Sequence, residues 1–106
     1  METSKTKTIS RKALMKKLGN FISVSNTDSR NGCDKAPNQF ELTFENGKAF
    51  QSYESLIGAR INGVYYFTAE HTYSTTTSRH CTQWCGYNSA ARKSGIANGI
   101  FYFVKD

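Results

Sequence analysis

Acidic side chains are scarce in this chain of 106 residues, eight against 14 lysines and arginines; proline occurs once, at Pro37, and cysteine three times. Each shortage excludes something. The cysteines, Cys33, Cys81 and Cys85, are odd in number and too few to staple a small secreted fold, so free thiols are expected. No two of them have the two-residue spacing of a zinc site. No run of about 18 apolar residues is available to cross a membrane as a helix, and the basic start leads into no signal-peptide apolar core. Residence in the cytoplasm is therefore expected. The length allows one domain and is too short for a two-lobed enzyme or a full dinucleotide fold. No catalytic signature stands out, and neither enzyme activity nor a cofactor is expected.

What the chain does have is aromatic weight and an uneven charge. Phe, Tyr and Trp make up 13% of residues, which is too aromatic for a disordered chain. The formal charge is +6, and residues 1–20 hold most of it: Lys5, Lys7, Arg11, Lys12, Lys16 and Lys17 against Glu2, a net of +5. Residues 21–106 are nearly neutral. The expected organisation is a basic N-terminal helix over 1–20 and one α+β domain over 21–106.

Along the chain, Ile9 to Leu18 reads as a helix capped by Thr8 or Ser10 and ended by Gly19, with Leu14, Leu18 and Phe21 on one apolar stripe. Lys16 and Lys17 complement its C-terminal dipole. Such a short helix is marginal alone and must dock to persist. A strand follows at Phe21 to Val24, and residues 25–38, polar and holding Pro37, read as a loop. Phe40, Leu42 and Phe44 then alternate with Glu41, Thr43 and Glu45 up to Asn46-Gly47, a hairpin signal if both turn residues take positive φ. The chain returns over Lys48 to Tyr53. Ile57, Ala59 and Ile61 lead in the same way to Asn62-Gly63 and the strand Val64 to Ala69, which is apolar on both sides and so belongs mid-sheet with a helix on one side. A hydroxyl-rich run offers Thr76, Thr77 or Ser78 as cap for a helix starting near Arg79, with Cys81, Trp84 and Cys85 on one face and Gly86 as the stop. A further turn from Ala90 to Lys93 ends at Gly95, and a last strand runs from Ile100 to Val104. The expected fold is α+β: an antiparallel meander of four to five strands, the N-terminal helix, and one or two short helices after the hairpins.

Several residues bear chemistry. Cys81 and Cys85 with His80 and His71 suggest a metal, but adjacent His80 and Cys81 diverge by about 100° on a helix, and buried thiols beside Trp84 are the expectation. A Cys-His nucleophile would need a third orienting group that nothing in the sequence supplies. Thr76, Ser78 and Arg79 could hold a phosphate or carboxylate at a helix start, with Arg92 and Lys93 as a second basic point, against the plainer reading of a capped helix with solvated charges. The six N-terminal cations could follow a nucleic-acid backbone, or keep the domain soluble. Tyr53, Tyr65, Tyr66, Phe101 and Tyr102 could stack on bases, although at least half of them are needed for the core.

The stretch Asn46-Gly47-Lys48-Ala49-Phe50-Gln51-Ser52-Tyr53-Glu54-Ser55, then Asn62-Gly63, then Tyr73-Ser74-Thr75-Thr76-Thr77-Ser78-Arg79-His80, resembles a family of small bacteriophage and mobile-element proteins. That family shows a Gln-Ser-Tyr strand after an Asn-Gly turn and a Tyr-Ser-x-Thr-Thr helix cap; this chain departs from it at Trp84-Cys85-Gly86. The resemblance implies a phage context and assigns no activity. Small phage domains without catalytic sites often bind host machinery, including CRISPR and other defence proteins. The expected function is accordingly a non-catalytic binder of a host protein, acting in the host cytoplasm through the N-terminal helix and the Thr76–Arg79 edge. The alternatives are a nucleic-acid-binding protein and a virion accessory.

Overall fold

A computed structural model describes residues 6–28, 35–72 and 74–105. Its strands are β1 (Lys7–Ser10), β2 (Phe21–Asp28), β3 (Lys35–Phe44), β4 (Gly47–Ser52), β5 (Ser55–Ile61), β6 (Val64–Thr68) and β7 (Tyr102–Lys105). The helices are α1 (Arg11–Leu18), α2 (Thr75–Cys85) and α3 (Ser89–Ala97), with a short 3-10 helix at Ala69–Thr72 between β6 and α2. The strands form one sheet in the order β1-β7-β6-β5-β4-β3-β2. The α+β class and the central antiparallel run β3-β4-β5-β6 follow from the alternation and turn signals. The sheet itself is larger than that meander and mixed: β7 inserts between β6 and β1, parallel to both.

Three stretches of the sheet differ from that meander. Ile9 and Ser10, expected to open the helix, belong instead to β1, because Ser10 is the cap and its Oγ accepts from Ala13 N at 3.0 Å. Only from Arg11 onward does the chain turn helical. The strand expected to stop at Val24 runs on to Asp28, and β3 starts at Lys35, so much of the supposed 25–38 loop is a ladder; Cys33 lies outside the described residues. The last strand is shifted to Tyr102–Lys105, because Ile100 N and Phe101 N bond back to Gly95 O at 2.8 and 3.1 Å.

The two Asn-Gly pairs behave differently. Asn62 and Gly63 both have positive φ, 51° and 79°, and close the β5–β6 hairpin as expected. At the β3–β4 turn Phe44 pairs with Gly47, so the turn residues are Glu45 and Asn46, neither at positive φ. Gly47 is required by close approach instead: a Cβ there would stand 2.3 Å from Arg60 O and 3.2 Å from the Leu18 side chain.

Helices cover both faces of the sheet, where the pattern of β6 predicted cover on one. On one face Leu14 and Leu18 of α1 pack on Phe44, Ala49, Ala59, Ile61, Tyr66 and Val104. On the other, Cys81 and Cys85 of α2 close over Phe50, Ile57, Phe67 and Phe101. A bulge maintains this division: Phe50 pairs with Gly58 and Gln51 with Leu56, leaving Ile57 as the extra residue of β5. Ile57 thereby joins the α2 face, while Leu56 packs toward α1. The polar side of β3 is also used, since Glu41 Oε2 accepts from Trp84 Nε1 at 2.9 Å while the indole stacks on Phe50 with centroids 5.6 Å apart.

The C-terminal helices are longer than expected. α2 starts at Thr75, not near Arg79, because Ser74 Oγ accepts from Thr77 N at 3.1 Å; Thr76, Thr77 and Ser78 therefore lie inside the helix rather than at its cap. α3 continues through Gly95 to Ala97, with Asn88 Oδ1 accepting from Ala91 N at 2.8 Å. Gly95 is buried beneath Phe101, and a Cβ on it would lie 2.4 Å from two ring carbons. Alanine at a helix interior gains about 1 kcal/mol over glycine. Displacing a packed ring costs about 1–3 kcal/mol, and Phe101 is held by Tyr65, Phe67 and Tyr87. Gly95→Ala is therefore expected to lower the midpoint of chemical unfolding; a raised midpoint would show that the ring yields freely.

Candidate functional site

The least expected side chain of the structure is Arg92. It stands on the inner face of α3 with no exposed surface, and among the described residues no carboxylate accompanies it. A guanidinium carries five N–H donors and cannot shed its proton, so a dry environment is tolerable only if each donor is met. All five are met. Nε donates to His71 Nδ1 at 2.9 Å; Nη1 donates to Thr82 Oγ1 at 2.9 Å and Tyr87 O at 2.7 Å; Nη2 donates to His71 O at 3.1 Å and Ser78 Oγ at 2.8 Å. The acceptors come from the 3-10 helix, from α2 and from the α2–α3 turn, so one side chain of α3 ties these elements together.

The network dictates the state of its histidine. Arg92 Nε always carries its hydrogen, so Nδ1 of His71 must be the bare nitrogen and the ring is neutral. Burial, reinforced by the charges of Arg92 and Lys93, pulls His71 down to about 4. The neighbouring thiols are also split. Cys81 and Cys85 hydrogen-bond to each other; that bond and burial push the Cys81 thiol up. The same bond draws the Cys85 thiol down, against its burial and with help from the Tyr87 backbone and Arg92. Both cysteines are buried and unpaired as disulfides, as Trp84 on the same face suggested.

The candidate binding residues fall on different surfaces. Arg92 is not a surface basic point, because α3 turns it inward in phase with Gly95 and Ile96 at i+3 and i+4. Lys93 next to it is exposed, as are Thr76 and Arg79, while Ser78 is half-buried with its oxygen on Arg92. Arg79 and Lys93 converge on an open hollow of about 470 Å³ whose other walls are the hydroxyl residues Thr72, Ser74, Thr75, Ser78 and Ser89. The N-terminal cations lie across the sheet with α1. Lys12, Lys16 and Lys17 are exposed, Arg11 reaches Glu70 at 3.9 Å, Lys7 stands 5.7 Å above the Tyr102 ring, and Lys5 lies outside the described residues. Of the five aromatics considered for stacking, Tyr66 and Phe101 are buried and Tyr65 and Tyr102 are half-buried in ring clusters; Tyr53 is exposed.

Neither the burial of Arg92 nor the part of His71 shows in composition or motif. The available signal was the helical phase of Arg92, Gly95 and Ile96, which is lost once α3 is ended at Gly95.

A neutral, buried His71 makes stability depend on pH. Its folded value lies below the ordinary 6.5, so the unfolded chain takes up the proton first as pH falls. The stabilisation is complete above pH 6.5 and is lost progressively down to pH 4, a change of about 3 kcal/mol. Urea unfolding across that range should show the loss, and His71→Asn, which keeps an acceptor but does not titrate, should flatten it. An unchanged slope in the variant would contradict the assignment.

No curated protein and no solved structure matches the chain. A family model matches residues 3–98, spanning α1, the hairpins and both C-terminal helices, and so includes Arg92 and all its partners. The chain thus belongs to the family of unknown function DUF8033.

Proposed function

We propose that the protein is a small non-catalytic binding module that inhibits or modulates a partner protein by contact, as phage-encoded inhibitors of host defence such as CRISPR systems do. The phage and host context rests on the sequence resemblance. The contact mechanism is supported by the free sheet edge at β2. That strand spans eight residues and, among the described residues, pairs only with β3. It holds no charged residue before Asp28, and natural edge strands are usually short or charged to prevent just such pairing.

Its side chains add to the edge. Phe21 pairs with Phe44 and Val24 with Leu42, the register shift between Phe21 and Ser23 placing both on the face that α1 covers further along the sheet. There they extend the core beyond the helix: Phe21 is 53% exposed, Ile22 61% and Val24 53%. A neutral, extended segment of a partner would add backbone hydrogen bonds at this edge and cover these side chains.

A second reading, nucleic-acid binding through the N-terminal segment, is supported by the exposed Lys12, Lys16 and Lys17 of α1. It has fewer free cations than the sequence promised, because Arg11 and Lys7 are engaged within the fold.

Affinity capture from bacterial lysate, with and without nuclease, separates the two readings. The proposal expects a stoichiometric protein partner that survives nuclease and is lost with Ile22→Lys plus Val24→Lys. No partner, a partner indifferent to these substitutions, or capture abolished by nuclease would overturn it.

A further inference from the structure

The hollow at the α2–α3 corner lies away from β2 and carries its own chemistry. Its two cations, Arg79 and Lys93, have no ion-pair partner among the described residues, and no carboxylate lines the walls. Glu70 lines a separate, smaller hollow of about 160 Å³ and is paired with Arg11. Immediately behind the wall sits the buried guanidinium of Arg92, whose five hydrogen bonds all end on neutral acceptors. Ser78 links the two: its Oγ accepts from Arg92 Nη2, which leaves its own hydrogen to be donated. Thr72, Thr75 and Ser89 contribute further hydroxyls to the walls. The corner thus gathers three positive charges and several hydroxyl groups around one open space.

We propose that this corner binds a doubly charged phosphate group carried by a small molecule. A tetrahedral dianion offers acceptors in all directions, which suits a wall of hydroxyl donors and a guanidinium at the rim. It would also supply the counter-charge that Arg92 lacks, without entering the core. A small ligand fits better than a polyanion, because the exposed lysines of α1 lie on the opposite face of the sheet and cannot share a backbone with Arg79 and Lys93.

The test is an amide NMR titration of the full chain at constant ionic strength, with inorganic phosphate in one arm, adenosine monophosphate in a second and chloride as the reference. The proposal expects saturable shifts at Thr75, Ser78 and Ser89 in at least one phosphate arm, the stronger arm identifying whether the free ion or an ester is the better ligand. Arg79→Gln plus Lys93→Gln, both at exposed positions, should weaken binding by about tenfold or more. Lys12→Gln plus Lys16→Gln should leave it unchanged. Affinity should fall as pH drops through the second ionisation of the phosphate, at about 6 for an ester and about one unit higher for the free ion. Shifts that track ionic strength alone, equal weakening by the α1 variant, or no saturable shift in either phosphate arm would each overturn the proposal.

Discussion

A buried guanidinium held only by neutral partners is the constraint on which the C-terminal half of the molecule depends. Arg92 cannot discharge, and leaving even one of its donors unmet in a dry site costs about 1–3 kcal/mol. The chain around it is therefore committed in several places at once. His71 must be neutral and present Nδ1; Ser78 and Thr82 must lie on the inward side of α2; the carbonyl of Tyr87 must point back from the α2–α3 turn. This accounts for a polar centre in a domain with aromatic weight to spare. Two short helices and a 3-10 turn have little apolar surface with which to define their mutual angles, whereas five directional bonds define them closely.

The sheet solves a different problem. Seven strands with helices on both faces need apolar side chains on both sides, yet the sequence offers few long aliphatic runs. Aromatic residues fill the deficit, with Phe50, Phe67 and Phe101 on the α2 face and Phe44 and Tyr66 on the α1 face. The bulge at Ile57 adjusts the alternation where a strict period of two would have sent that side chain to the wrong layer. At β2 the cover runs out, and the apolar face continues into solvent as the edge on which the contact reading relies.

Much of this was legible from residues alone. The stripe of Leu14 and Leu18, the alternation of Leu42 and Phe44, the Asn62-Gly63 turn and the face shared by Cys81, Trp84 and Cys85 are local signals, and each survives in the fold. What was not legible depends on distant contacts. β1 is a strand because β7 lies beside it, and β2 runs past Val24 because β3 offers it a ladder. Gly47 looks like a turn glycine and is a packing glycine, since its requirement comes from Arg60 and Leu18. At the site, the hydroxyl run and Arg79 were visible as an anion-binding pattern. Arg92 beside Lys93 looks like one basic point, although neighbours on a helix diverge by about 100°, which leaves Arg92 buried and Lys93 exposed.

The most direct measurement of the central claim is the proton–nitrogen spectrum of the arginine side chains at neutral pH. A guanidinium with all five donors engaged should give Arg92 separate, slowly exchanging signals for Nε and for the two Nη groups, clearly apart from exposed Arg60 and Arg79. A single averaged Nη signal that exchanges as fast as those of the exposed arginines would contradict the account.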